Sequence, residues 1–180
     1  MSPKSLDDSA IRELRAGLRG QLLQAGDPGY DTARKIDNAM IDRRPALIAR
    51  CAGVADVLAT VRFARTHGLL VSVRAGGHNV AGNAVCDDGI VIDVSPMKGV
   101  RVVPGARTVQ AQAGVTWGEL DAETQAFGLA TTGGVISTTG IAGLTLGGGV
   151  GWLNGRFGLA CDNLVSADVV TADGRFLIAS

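Results

Sequence analysis

The sequence is poor in the groups that most often announce a chemistry. Of 180 residues only two are histidine, His67 and His78, and three are cysteine, Cys51, Cys86 and Cys161. The cysteines are odd in number and share no repeated spacing, which argues against a disulfide framework or a zinc site and fits reduced thiols. With two imidazoles in the whole chain, metal chemistry is not expected. Acidic and basic residues balance at 17 each, so no basic field gathers nucleic acid or anionic lipid. Residues 1–15 are polar and lack the apolar core of a secretory signal, which places the protein in the cytoplasm.

Charge is also missing from one long stretch, residues 124–155. Its length alone would suit a membrane span. Glycines interrupt it repeatedly, threonines are interleaved, and it has few of the large side chains that drive insertion. It reads instead as buried loop backbone.

What the sequence does hold is apolar residues, at 46%, and 26 glycines. The first figure is ordinary for a folded chain able to bury one substantial core or two small ones. The glycine share is about twice the usual, and most of it crowds between Gly76 and Gly158. Glycine inside a helix or strand weakens it, so the crowding needs a local reason.

Ile11, Leu14, Leu18 and Leu22 recur at helical spacing after Ser5 and Asp8, and Gly26, Asp27 and Pro28 stop the pattern. This predicts a lead-in helix whose Arg12, Arg15 and Arg19 form a solvated face. Residues 46–50 read as a short strand, followed by a helix with Val54, Val57, Leu58, Val61 and Ala64 on one face and Gly68 at its end. Residues 70–74 and 90–94 are β-rich, giving β-α-β order and a mainly parallel unit. His67, beside Gly68, is a charge-favourable helix end.

Beyond Pro96 the pattern changes. Residues 100–103 and 108–112 flank Pro104 and Gly105 as a hairpin. Thr116 and Glu119 then form a capping box for a helix bearing Trp117, Leu120 and Phe127. Residues 164–170 and 175–178 flank Ala172-Asp173-Gly174 as a second hairpin. The expected fold class is α+β, with a parallel unit followed by an antiparallel sheet with helices, divided as lead-in 1–38, first subdomain 39–98 and second subdomain 99–180. Trp117 is expected in the helix core and Trp152 as packing within the glycine loop. Cys51 and Cys86 are expected to be thiols without a catalytic role.

Two runs carry chemistry. Arg74-Ala75-Gly76-Gly77-His78-Asn79 follows a predicted strand. Paired glycines let a backbone approach a ligand closely and turn successive N–H groups toward one point, a nest suited to pyrophosphate. The alternative is a Gly-Gly turn whose histidine hydrogen-bonds nearby backbone. The second run is Thr131-Thr132-Gly133-Gly134-Val135-Ile136-Ser137-Thr138-Thr139-Gly140-Ile141-Ala142-Gly143, continuing to Gly147-Gly148-Gly149-Val150-Gly151. Its many backbone donors and small hydroxyls could surround a flat, polar-edged ligand, or it could be a close-packed structural loop. It fits neither the Rossmann register nor a P-loop.

Together with Gly158-Leu159-Ala160-Cys161-Asp162-Asn163-Leu164, these runs resemble, in order and spacing, the FAD-binding half of the berberine bridge enzyme-like oxidases. These belong to the wider vanillyl-alcohol-oxidase superfamily with its PCMH-type FAD-binding domain. The likeness covers about residues 35–180. It implies FAD between two α+β subdomains, pyrophosphate near residues 74–79, and a covalent bond from His78 to the 8α carbon of the flavin. The cofactor-binding residues it implies are Arg74, Ala75, Gly76, Gly77, His78, Asn79 and Gly82 from the first run. From the second come Gly133, Gly134, Ser137, Thr138, Gly140, Ile141, Gly143, Gly148, Gly149 and Gly151, and further on Asp162 and Val169. Asp162 and Asn163 are also expected to hold their own loop through side-chain to backbone hydrogen bonds. Many members carry a second tether from a cysteine, but Ile136 occupies that place here, so a single histidyl attachment is expected and Cys161 is not its substitute.

The resemblance further implies an oxidase that moves a hydride from a small-molecule substrate to flavin and then to oxygen, giving hydrogen peroxide. No catalytic base is assigned in this chain. Members of the family continue past the point matching Ser180 with the rest of the sheet and a substrate domain. The chain is therefore expected to be truncated at its carboxy end, with an open sheet edge, or to meet a partner chain that supplies the substrate domain. Two functions stay open: the FAD-dependent oxidase, and a non-catalytic flavin-binding or assembly module.

Overall fold

A computed structural model describes residues 6–180. Ser5 lies outside the described residues. Helix α1 (Asp8–Gly17) starts where the Asp7 carboxylate accepts the Ser9 amide at 3.0 Å, and it buries Ile11 and Leu14. The helix does not run on to Leu22 as the spacing predicts. Gly17 and Gly20 interrupt it, and Leu22 instead lies in strand β1 (Gln21–Leu23), opposite Ala49. A Cβ at position 20 would stand 1.9 Å from the Arg50 carbonyl oxygen, so only glycine lets the chain pass there. The apolar period suited both helix and strand, and contact with the neighbouring strand decided between them.

After the single turn α2 (Tyr30–Ala33), β2 (Leu47–Arg50), α3 (Val54–His67), β3 (Val71–Arg74) and β4 (Ile90–Asp93) follow. They form a four-stranded sheet in the order β1-β2-β4-β3. β4 pairs in parallel with β2 and β3, so Ile90 faces Leu47 on one side and Val71 on the other, while β1 joins antiparallel. The two-residue alternation of strands splits the core across both faces of this sheet. Leu22, Leu47, Ala49, Ile90 and Ile92 meet Ile11, Leu14 and Ala64 on one face. Leu23, Ile48 and Val91 meet Tyr30, Ala33, Val85 and Cys86 on the other.

The apolar stripe expected of α3 is kept in part, with Ala64 in the core and Val57 and Val61 packed half-buried against it, but polar residues share the buried face. Asp56, Thr60 and Ala64 are buried, four residues apart, whereas Val54 is exposed. Asp56 belongs inside because its carboxylate accepts the amides of Arg19 and Gly20 at 3.0 Å each and of Ala52 at 2.8 Å. Gly68 ends the helix in the left-handed conformation, at φ 64°. His67 stacks on Phe63 in the last turn, with ring centroids 4.3 Å apart.

In the following region β5 (Val100–Val103) and β6 (Thr108–Ala111) form one hairpin, and β7 (Ala167–Val170) and β8 (Phe176–Ala179) another. Among the described residues these are two separate two-stranded sheets. Between them lie α4 (Trp117–Gln125), α5 (Ile141–Leu146) and the short α6 (Asn154–Phe157). The capping box of α4 is formed, with Glu119 accepting the Thr116 amide at 2.8 Å. Val115, Trp117, Leu120 and Ala160 make the local core. Phe127 falls beyond the helix and is exposed, its expected place being taken by the buried Thr124. Trp152 is 89% exposed, so it does not pack within the glycine loop. Cys51 and Cys86 are buried free thiols and Cys161 is half-buried. No helix among the described residues is long and apolar enough to cross a membrane.

Candidate functional site

The end of β3 delivers Arg74 into the first glycine run, and the turn that follows brings this run against the second. A Cβ on Gly76 would fall 2.3 Å from the Gly140 amide nitrogen, so the two loops touch through bare backbone. His78 reaches across the same seam. Its Nε2 lies 2.9 Å from Thr138 Oγ1 and its Nδ1 3.7 Å from Asp37 Oδ2. Asp37 was not found by reading the sequence, because it precedes His78 by 41 positions and belongs to no recognisable pattern.

The second run is anchored by α4. The Trp117 amide donates to the Thr139 carbonyl at 3.0 Å and the Gly118 amide to the Ser137 carbonyl at 2.9 Å. Gly133 and Gly134 lie flat on the Trp117 indole, where a Cβ would come within 2.3 Å and 3.0 Å of ring atoms. A Cβ on Gly151 would overlap the Gly133 carbonyl oxygen at 1.7 Å, and one on Gly149 would strike Leu144 and Ala160. The crowding of glycine thus has its local reason: strands of loop backbone packed on one another and on one indole.

The third motif braces this loop. Asp162 Oδ2 accepts the Leu159 amide at 2.8 Å, and Asn163 Nδ2 donates to the carbonyls of Phe157 at 2.9 Å and Leu159 at 2.8 Å. These are the side-chain to backbone bonds the sequence led us to expect. The other residues of the expected set are distributed more widely. Asn79 accepts the Asn83 amide at 3.0 Å, and Gly82 is buried under Ile41 at φ 76°. Ala75 lies at the Gly140 contact, Ile141 and Gly143 stand on α5, and Gly148 accepts the Cys161 amide at 2.9 Å. Val169 stands on β7, which packs against α3.

Arg74 is turned inward. Its Nη1 donates to the Ala33 carbonyl at 2.9 Å and stands 3.4 Å from the fully buried Asp93, which also faces Arg50 at 3.4 Å. The guanidinium therefore braces the base of the first loop. Arg74 Nε, Trp117 Nε1 and Thr132 Oγ1 are buried polar atoms with no protein partner among the described residues. All three belong to the glycine runs or to the indole beneath them. The amides of Gly76, Gly77 and His78 also meet no protein acceptor among the described residues. Amides that no protein acceptor takes are left to donate to solvent or to a bound molecule. A separate groove of about 310 Å³ runs between α1 and α3, lined by Glu13, Arg62, Phe63 and His67 among others, and includes no residue of either run.

A family described as "FAD binding domain" matches residues 45–180. Among curated proteins, (R)-6-hydroxynicotine oxidase of Paenarthrobacter nicotinovorans is 39% identical over 163 residues, which is 91% of this chain and 36% of that protein. The crystal structure of 6-hydroxy-D-nicotine oxidase from Arthrobacter nicotinovorans superposes with a TM-score of 0.89 at 39% identity, covering 91% of this chain and 36% of the other. BBE-like 1 of Physcomitrella patens superposes at 0.88 with 29% identity, over 94% of this chain and 37% of its own. The chain thus spans just over a third of the length of the relatives it matches.

Proposed function

The chain belongs to the FAD-binding-domain family carried by berberine bridge enzyme-like FAD-linked oxidoreductases, and on that premise we propose that it holds FAD along the seam between its two glycine runs for an oxidase reaction. The single observation that carries this is the meeting of Gly76 with Gly140 beside His78, in a loop whose Gly76, Gly77 and His78 amides have no protein acceptor among the described residues. Neutral donors of this kind suit a dinucleotide whose phosphates are met by backbone N–H groups.

In this reading Gly76, Gly77, His78 and Asn79 receive the pyrophosphate on their amides, with Arg74 holding the loop from below. Gly133, Gly134, Ser137, Thr138, Gly140, Ile141, Gly143, Gly148, Gly149 and Gly151 line the remaining length, and Ala75, Gly82, Asp162 and Val169 complete the set. His78 is the point of covalent attachment through its imidazole. Ile136 stands where a second, cysteinyl tether would need sulfur, so one bond is expected.

Bound FAD would supply the redox chemistry, taking a hydride from a small-molecule substrate and passing its electrons to oxygen to give hydrogen peroxide. The residues of this chain would hold it, orient it and shield its edge from water. The substrate-binding part would come from further polypeptide or from a partner chain. The same reading treats residues 1–38 as a lead-in, 39–98 and 99–180 as the two FAD-binding subdomains, and the protein as cytoplasmic.

The test is to acid-precipitate the purified protein and record the visible spectrum of the pellet. Yellow colour retained in the pellet and lost in His78→Ala is the expected result. A colourless pellet would end the covalent reading, and failure of the undenatured protein to bind FAD would end the whole of it.

A further inference from the structure

Two stretches without helix or strand run beside each other: residues 34–46, which lead into β2, and residues 75–89, which hold the first glycine run and join β3 to β4. Backbone groups in such stretches have no ladder to pair in, so the partners of their carbonyls decide how each peptide is turned. Here the partners come from one segment. The Asp37 amide donates to the Gly77 carbonyl at 3.2 Å, and Asn38 Nδ2 donates to the Val80 carbonyl at 2.9 Å. Arg43 Nη1 donates to the carbonyls of Gly82 at 3.1 Å and Val85 at 2.9 Å. The segment that supplies these donors is itself fixed. Arg34 donates from Nη1 to the Arg43 carbonyl at 3.2 Å and pairs with Asp42, closing the segment at its ends. Ile36 and Ile41 pack against the core on this face of the sheet, with Ile41 over Gly82.

A trans peptide is planar, so its C=O and the N–H of the next residue point in opposite directions. No peptide bond among the described residues is cis. Capture of the Gly77 carbonyl by Asp37 therefore turns the His78 amide away from the segment, where it meets no protein acceptor. The Gly77 carbonyl oxygen, which would repel a phosphate, is held on the opposite side. Capture of the Gly82 carbonyl by Arg43 likewise sets the Asn83 amide, which donates to Asn79 Oδ1 at 3.0 Å. Arg43 thus reaches the side chain that ends the motif, and a guanidinium makes a stronger bond to a carbonyl than a neutral donor does.

We propose that residues 37–43 are a strap that sets the peptides of the first glycine run for the FAD pyrophosphate, with Asn38 and Arg43 as positioning residues. The proposal rests on the reading of residues 76–79 as the pyrophosphate loop. Neither residue needs to touch the cofactor. Asn38 acts through the Val80 carbonyl, and Arg43 through the carbonyls of Gly82 and Val85, the first of which leads by way of Asn83 to Asn79. The strap precedes residues 45–180, the span that the FAD-binding family matches, so the cofactor loop depends on chain outside that span.

The experiment compares the full-length polypeptide with Asn38→Asp, Arg43→Ala and Arg43→Lys, each purified without flavin. Asn38→Asp keeps the oxygen that accepts the Met40 amide at 3.1 Å and replaces only the donor to Val80. Asp56→Asn, whose bonds go to Arg19, Gly20 and Ala52, is the control for lost stability alone. Two quantities are followed: the dissociation constant for reversible FAD binding, and hydrogen exchange at the amides of Asp37, Gly82, Asn83 and Val85 before FAD is added. Arg43→Ala is expected to weaken FAD binding about tenfold, Asn38→Asp to weaken it less, and Arg43→Lys to recover most of the loss. Phosphorus-31 signals of bound FAD should move in Arg43→Ala and stay in place in Asp56→Asn. Parent affinity in Arg43→Ala overturns the proposal, as does a loss that Asp56→Asn reproduces at equal stability. If the parent binds no FAD, it is the cofactor reading that has failed. Exchange then still decides the strap: faster exchange in Arg43→Ala than in Asp56→Asn upholds its hold on the loop, and the parent rate ends it.

Discussion

Gly76 and Gly140, sixty-four positions apart, approach each other so closely that neither has room for a methyl group: a Cβ on Gly140 would stand 2.6 Å from the Gly76 amide nitrogen, the reciprocal of the clash in the other direction. The seam on which FAD is proposed to lie is thus made by two backbones rather than by side chains.

Alanine at either position should push the loops apart. Because the obstructing atoms are backbone, relief requires movement of a whole loop, and overpacking of this kind costs on the order of 1–3 kcal/mol. Gly76→Ala and Gly140→Ala should each lower the urea midpoint. Gly143→Ala, on helix α5 where a Cβ meets nothing within 4 Å, serves as the control and should leave the midpoint unchanged or raise it slightly, since alanine favours the helix.

Asp56 should be among the costliest polar residues to remove. Three amides from two separate segments, Arg19, Gly20 and Ala52, depend on its carboxylate. Asp56→Ala leaves these donors without a partner beside a buried helix face, a loss of roughly 3 kcal/mol or more. Asp56→Asn, which keeps one oxygen, should fall between. Equilibrium unfolding of the three proteins would check the order, and equal stabilities would contradict it.

Burial pushes the Cys51 thiol up to about 12 from an ordinary 9.0, aided by the charges of Asp56 and Asp93 and opposed by Thr60. At pH 8 only about one molecule in ten thousand then carries the thiolate, so a disulfide reagent should leave Cys51 untouched in the native protein while labelling the half-buried Cys161. The unfolded chain gives up this proton near pH 9 and the folded one keeps it toward 12. The unfolded state therefore binds fewer protons in that window, and stability falls as pH rises through it. Cys51→Ala should flatten this part of the curve.

The capping box at α4 gives a slope of opposite sense. Burial raises the Glu119 carboxyl, but Lys98, with Nζ at 2.6 Å, and the amide and hydroxyl of Thr116 outweigh it and hold it below the usual value. Its contribution is present above pH 4.5 and drains away as the pH falls below it. Glu119→Ala should cost about 1 kcal/mol at pH 7, most of it from the cap because the ion pair is half exposed. The difference from the parent should shrink below pH 4.

The β-α-β order, both hairpins and the capping box could be read from local pattern, because each is set by residues within a few positions of one another. Thr116 and Glu119, or Asp173 and Gly174, carry their geometry in their immediate neighbours. The helix expected through Leu22 could not be corrected in this way. Its spacing satisfies two periods, and the choice rests on Arg50, whose carbonyl leaves no room for a side chain at Gly20. Trp152 and Trp117 are equally apolar as letters, yet one is exposed and the other is the floor under two glycines.

By itself the sequence determined the glycine runs, the histidine in the first of them and the motif of Asp162 and Asn163 that braces the loop, since these depend on residue type and order. Only the tertiary structure decided that Gly76 meets Gly140, that Arg74 points inward to Asp93, and that Asp37 stands at the edge of the His78 ring. The physical reason is range: backbone freedom and turn preference act between neighbours along the chain, whereas a clash, an ion pair or a contact across the seam depends on which distant segments share the same few ångströms.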